Sequence, residues 1–344
     1  MRIPLLSGFN RKIGLDLGAD RIRVVVSGIG LVADEPSRIA LNSQTRKMVA
    51  YGEDAKEMEG RINPPLSVIA PIQKGVVFDH KATAQLIQAL LQRVFPRSPL
   101  VSPVFMASIS GIAQPADHIV LNDVLYGFGA REVYLMSAPL AASIGAGVPI
   151  ADASGCFLLH LGESVVEGAV IALGSTVKQV YSIMAGNFLR QKVQLVAKRK
   201  LHLVLSAEVA QQVIDHVLTV DPDKDREQLI AGSDLQTGSP KELLVQSKDF
   251  LAELQPVVDS YVELLRTLLS DIPPQLTVDV IDKGLLLSGG LGQLDGLEQY
   301  LVANLGIPVS LVEHPSRVVI SGVQTALVHL DEYKQSLGYR QQQA

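Results

Sequence analysis

The sequence predicts an α/β protein made of two similar lobes, each with a further unit inserted into it. Three observations lead there. A strand–turn–strand segment near the start, Lys12-Ile13-Gly14-Leu15-Asp16-Leu17-Gly18, turns through Ala19-Asp20 into Ile22-Arg23-Val24-Val25-Val26. About half a chain later the design recurs: Cys156–Leu159 runs into His160-Leu161-Gly162, and Ala169–Leu173 leaves the turn. Around both, apolar runs of strand length alternate with segments of helical period, the pattern of sheets covered by helices. Size agrees, since 344 residues at 47% hydrophobic content favour two domains or two lobes of one fold.

Composition removes several classes of function. A net charge of −5 provides no general attraction to nucleic acid. A single cysteine, Cys156, inside an apolar strand excludes a disulfide framework and most metal clusters, and it fits a reducing cytoplasm. The long uncharged run Val133–Ala151 is interrupted by Pro139, Gly145, Gly147 and Pro149, so it reads as buried rather than membrane-spanning. No secretory signal is expected, because a long apolar core and a small-residue cleavage site are both lacking.

Taken in order, residues 1–11 form a basic tail carrying Ile3, Leu5, Leu6 and Phe9. With Arg2, Arg11 and Lys12 alongside, this is a candidate membrane-surface anchor, the alternative being a frayed terminus. Residues 12–31, with 75–150 and 315–335, should form the first lobe, into which a unit of residues 32–74 is inserted. Asp79 caps an amphipathic helix whose apolar face is Leu86, Ile87, Leu90, Leu91 and Val94. In the loop after it, Phe95 and Leu100 stand beside Arg93 and Arg97, as a second membrane contact or a buried anchor. A strand over 104–109, a helix over 115–126, a strand over 133–136 and an Ala-rich helix led by Pro139 follow.

The second lobe, residues 151–185 with 245–314, should repeat this order around an inserted unit of residues 186–244. The basic run Lys198-Arg199-Lys200 reads as a solvated helix face, and 221–238 as a surface hairpin. A helix spans 250–269, with Leu254, Val258, Tyr261, Leu265 and Leu268 at helical spacing. A strand, 284–287, then breaks at Ser288-Gly289-Gly290-Leu291-Gly292, and a helix, a strand and a closing helix from 318 complete the chain.

Gly14-Leu15-Asp16-Leu17-Gly18, Ala185-Gly186-Asn187-Phe188 and Leu287-Ser288-Gly289-Gly290 resemble, in this order, the motifs of the actin-fold superfamily. Within it the chain is similar to the MreB family of bacterial actins. That likeness rests on segments spread over about residues 12–330, among them Asp34-Glu35-Pro36-Ser37, Tyr51-Gly52-Glu53-Asp54-Ala55, Gly129-Ala130-Arg131-Glu132-Val133-Tyr134 and Ile281-Asp282-Lys283-Gly284. It implies an actin-like fold of two duplicated ribonuclease-H-like lobes, ATP with magnesium between them, protofilaments, and peripheral attachment to the inner face of the cell membrane. Glycine-rich turns would cradle phosphates, a carboxylate would hold the hydrated cation, and a glutamate would orient water.

The departures fall on the chemistry. Ala19 stands where the family has a hydroxyl, and His160-Leu161-Gly162-Glu163-Ser164-Val165-Val166 replaces its Asp-Xaa-Gly-Gly-Gly-Thr-Thr. A cation-holding carboxylate and two glycines are thereby lost. Glu163 beside a phosphate would cost about 4 kcal/mol for unit charges 4 Å apart at an effective dielectric of 20. Ser137-Ala138-Pro139 lacks the water-orienting glutamate, and the adenosine-embracing glutamate and lysine fall on Ala207 and Ile214.

The surviving candidates for nucleotide are Asp16, Gly18, Gly162, Gly186, Gly289 and Gly290, with Asp16 the one candidate metal ligand and no catalytic residue. ATP or ADP with Mg2+ would bind weakly at best, and no cofactor would be required. The resemblance therefore implies a cell-shape cytoskeletal protein that no longer turns over ATP. Its partners would be further copies, other MreB-family proteins, the inner membrane surface and the envelope-synthesis machinery. Two readings compete with it: an ATPase with an atypical site, in which Glu163 or Glu167 replaces the lost carboxylate, and a non-polymerising adaptor. A sugar-kinase-like activity fits least.

Overall fold

The computed structural model describes residues 11–73, 76–95, 102–149 and 153–335. The chain divides into two compact units: one holds the chain before Ser154 and after Ser316 together with residues 172–175, and the other holds the remainder.

In the first unit, β1 (Lys12–Leu17), β2 (Arg21–Val26) and β3 (Gly30–Pro36) form an antiparallel meander. The inserted sheet follows, from β4 (Ile39–Asn42), β5 (Met48–Tyr51), α1 (Glu53–Met58) and β6 (Leu66–Ile69), in the order β5-β4-β6. Next come the short pair β7 (Ile72–Gln73) and β8 (Val76–Val77), then α2 (His80–Val94). The Asp79 carboxylate caps α2 by accepting from the Ala82 N–H at 2.9 Å, as the sequence implies. β9 (Val104–Ile109), α3 (Pro115–Gly127), β10 (Glu132–Ser137) and α4 (Ala138–Gly145) complete this stretch.

β9 and β10 run parallel to β1, giving the sheet order β10-β9-β1-β2-β3. Central β1 is buried on both faces, which is why it reads as an almost unbroken apolar run with Asp16 its one acidic residue. Ile13, Leu15, Ile22, Val24 and Phe105 meet the apolar stripe of α2 and Leu121 and Leu125 of α3.

The second unit opens with β11 (Cys156–Leu161), β12 (Val166–Ala172) and β13 (Ser175–Ser182), then α5 (Gly186–Lys200). Its inserted part is β14 (Leu203–Val204), α6 (Ala207–His216), β15 (Glu227–Asp234) and β16 (Pro240–Gln246), a three-stranded sheet in the order β14-β15-β16. The long helix α7 (Leu251–Ser270) buries Leu254, Val258, Tyr261, Leu265 and Leu268, and the Tyr261 hydroxyl donates to the Met184 carbonyl at 2.6 Å. α8 (Pro274–Lys283), β17 (Leu285–Ser288), α9 (Leu297–Leu305) and β18 (Val309–Leu311) finish the main sheet, ordered β13-β12-β11-β17-β18. The first unit then closes with α10 (Val318–Val328), which crosses β1 and packs tightly on α4.

The actin-like α/β duplication is thus present in both sheets: an antiparallel meander of three strands extended by two parallel ones. Two details depart from the sequence reading. The third strand of the first meander runs to Pro36, so residues 32–36 of the expected insertion pair with β2 in the main sheet. Residues 274–283, whose apolar periodicity is short, form α8. In agreement with that reading, the run from Val133 divides between β10 and α4; no helix among the described residues is long and apolar enough to cross a membrane.

Candidate functional site

The candidate residues lie at strand ends and turns, where open α/β sheets place ligands. In the first unit, Asp16 is the penultimate residue of β1 and is 7% exposed. The antiparallel register sets Arg23 of β2 directly opposite it, on the same face of the sheet. Arg23 Nη1 donates to Asp16 Oδ2 at 3.1 Å, and the Ser108 hydroxyl of parallel β9 donates to Asp16 Oδ1 at 3.0 Å. Both oxygens are engaged by the protein itself. Burial pushes the Asp16 carboxyl above the ordinary carboxylate range, while the Arg23 charge and the two hydrogen bonds pull it back.

A wider network surrounds this pair. Arg23 Nε lies 3.3 Å from Asp34 Oδ1 on β3, because register places Asp34 opposite Arg23 in turn. Asp34 also receives Arg21 Nε at 2.5 Å and Arg317 Nη2 at 3.3 Å; burial pushes its carboxyl up, but the Arg21 and Arg23 guanidinium groups hold it below the ordinary carboxylate range. Arg38 donates to the Ala19 carbonyl at 3.2 Å, bracing the turn. Gly18 is required there sterically, since a Cβ would sit 2.7 Å from the Arg21 carbonyl oxygen.

In the second unit, Gly162 closes the hairpin turn with its N–H on the Val165 carbonyl at 3.1 Å. The turn is fastened to the start of α5. Gly186 N–H donates to the Gly162 carbonyl at 3.1 Å, and Asn187 N–H donates to the Glu163 carbonyl at 2.7 Å. These are helix-terminal donors with no partner inside the helix, of the kind that bind anions in nucleotide proteins. The Glu163 carboxylate lies over the same terminus, where a Cβ on Gly186 would come 2.8 Å from its Oε2, and it is ion-paired with Arg190 one turn along α5. Arg190 in turn donates to Gln211 Oε1 at 2.8 Å.

Glu167, the other substitute carboxylate, is 1% exposed and accepts from Gln179 at 3.0 Å. His160 is a satisfied histidine, its Nδ1 3.1 Å from the buried Ser288 hydroxyl across the β11–β17 pair. Gly289 follows β17 with φ +89°, and a Cβ there would meet the Leu161 carbonyl oxygen at 2.2 Å, so glycine is obligatory. Gly290 beside it is open to solvent.

Thus the structure brings Gly162, Glu163 and Gly186 together in one unit and holds Asp16 and Gly18 in one hairpin of the other. Reading the sequence missed Arg23, Asp34, Ser108 and Arg190. A signal for Arg23 existed: in a hairpin pairing Leu17 with Ile22, Asp16 must pair with Arg23. The magnesium and nucleotide expected from the resemblance fit these residues poorly, since the Asp16 oxygens and the first α5 donors are already spent. The membrane candidates Ile3, Leu5, Leu6, Phe9 and Leu100 lie outside the described residues. Phe95 is a core residue, 5% exposed with the Arg11 guanidinium over its ring, so it is the buried anchor and not a membrane contact.

Comparison with known proteins agrees with this architecture. A family model described as MreB/Mbl protein matches residues 10–335. The cell shape-determining protein Mbl of Bacillus subtilis is 30% identical over 94% of this chain and 98% of its own length. MreB of Escherichia coli K12 is 29% identical over 94% of this chain and 95% of its own. Among solved structures, MreB5 of Spiroplasma citri bound to AMPPNP superposes with a TM-score of 0.88 at 23% identity, covering 96% of this chain and 99% of that one. A MamK double helical filament gives a TM-score of 0.76 at 19% identity, over 94% of this chain and 99% of that one.

Proposed function

Because this chain belongs to the MreB/Mbl family, we propose that it is a cell-shape cytoskeletal protein that assembles with further copies or with other family members without turning over ATP. One observation carries the second half of that reading: the turn at Gly162–Glu163 is hydrogen-bonded onto the start of α5, and Glu163 is held there by Arg190. A phosphate at this helix start would have to displace two backbone hydrogen bonds and approach a resident carboxylate. Neither Glu163 nor Glu167 is disposed as a substitute metal ligand, because each already serves a partner within its own unit.

Assembly is supported by the relatives, one of which was solved as a double helical filament. Action at the cytoplasmic face of the membrane, through Ile3, Leu5, Leu6 and Phe9, belongs to the same proposal. Contact with the envelope-synthesis machinery would follow from that position.

Sedimentation and negative-stain microscopy with and without ATP, ADP and anionic vesicles, run beside a phosphate-release assay, test the proposal. Polymer independent of nucleotide, with release at background, is the expected result. Release above background that Asp16→Ala abolishes would overturn the loss of turnover. A chain monomeric at high concentration, alone and on lipid, would overturn assembly and leave the adaptor reading.

A further inference from the structure

We propose that Arg23 is a built-in cation: its guanidinium holds the position on Asp16 that a divalent metal ion would need, and this unit takes no metal there. This deepens the reading above at the first hairpin and stands on different residues from those at α5.

Asp16 and Asp34 are both within ion-pair distance of the same guanidinium, at 3.1 Å and 3.3 Å, and the Ser108 hydroxyl is 3.0 Å from Asp16. Two carboxylates and a hydroxyl make an all-oxygen donor set of the kind that hard divalent cations take. Here the positive charge at its centre is supplied by a side chain that cannot dissociate and is effectively always protonated. Its position follows from two successive strand pairings, Asp16 opposite Arg23 and Arg23 opposite Asp34. Arg23 is 9% exposed, so water competes little for the pair. Arg21 and Arg317 also face Asp34, so the two carboxylates meet three guanidinium groups.

Mn2+ followed by electron paramagnetic resonance, on the full chain without nucleotide, tests the assignment directly. The wild type should keep its added Mn2+ free, and its melting temperature should be the same in millimolar Mg2+ and in EDTA. Arg23→Met opens the donor set, and its melting temperature should rise by several degrees with Mn2+. Arg23→Lys keeps a charge and should stay indifferent. A stoichiometric Mn2+ site in the wild type that Asp16→Asn removes would overturn the proposal, as would a folded Arg23→Met that ignores metal. If Arg23→Met does not fold, the wild-type titration decides alone. The outcome is separable from the proposed function: ATP turnover without Mn2+ at Asp16 defeats only that reading, and Mn2+ at Asp16 in an inert protein defeats only this one.

Discussion

Exchanging Arg23 for methionine would leave the Asp16 carboxylate buried with the Ser108 hydroxyl as its remaining described hydrogen-bond donor. Removing one partner of a buried ion pair costs about 3–5 kcal/mol, because the charge left behind has lost both water and its counterion. Asp34 would be affected less, since Arg21 and Arg317 still face it. For a unit of this size the loss corresponds to a drop of roughly 6–20 °C in melting temperature. The effect should depend on pH in a definite direction. Burial already pushes Asp16 up, and losing the Arg23 charge pushes it further. A carboxyl whose folded value lies above its unfolded one contributes stability that is complete below the unfolded value, about 3.9, and is lost as pH rises through the folded value. The variant should therefore be closest to wild type near pH 5 and furthest from it near pH 8. Asp16→Asn/Arg23→Met, which removes both charges, should recover most of the loss. Thermal and urea unfolding followed by circular dichroism at several pH values would measure this. A loss under about 1 kcal/mol, or one equal at pH 5 and pH 8, would refute the picture of a buried, mutually dependent pair.

Other outcomes follow from single contacts. Gly322→Ala should loosen the α4–α10 contact and destabilise the first unit by about 1–3 kcal/mol or more, because its Cβ would fall 1.7 Å from the Ala141 carbonyl oxygen; urea unfolding checks it. Asp79→Ala should cost about 1 kcal/mol, since it removes the cap on Ala82 and the partner of Arg46; a shift in the urea midpoint without a change in slope is the signature. Glu132, held by the Tyr134 hydroxyl at 2.5 Å and Lys334 at 2.9 Å, should titrate at about 2 by carbon NMR instead of 4.5. Because that value is lowered, its support for the fold is present above the ordinary value and disappears as pH falls toward 2, and Tyr134→Phe should return the titration toward normal. Glu163→Ala should leave the start of α5 less screened from anions; raised retention of inorganic phosphate relative to wild type would show it, and unchanged retention would count against Glu163 as a resident carboxylate.

Much of the fold is legible from local pattern. Strands β1, β9 and β11 are buried on both faces and so are written as nearly continuous apolar runs, interrupted at Asp16, Ser108 and His160, and α2 and α7 bury one face and so keep a helical period. Signals shorter than that are weaker: α8 spans ten residues, buries only Val280 fully and leaves Val278 and Ile281 exposed, so no stripe announces it. β3 is a sheet-edge strand with mixed burial, which is why its last residues read as part of the inserted unit. Phe95 shows how an apolar residue in a loop is uninformative by itself, since a core anchor and a membrane contact have the same chemistry.

By itself the sequence determined the duplicated α/β plan, the positions of both hairpin turns, and the loss of the residues that the family resemblance expects for nucleotide chemistry, because strand, helix and turn signals are local. What replaced those residues was decided only by tertiary structure. Arg23 becomes the counterion of Asp16 through strand register, and Ser108 joins it from a strand far along the chain. Arg190, 27 residues beyond Glu163, reaches it because the second turn is hydrogen-bonded onto the start of α5. An ion pair's strength depends on distance and burial, and neither is written in the order of residues along the chain.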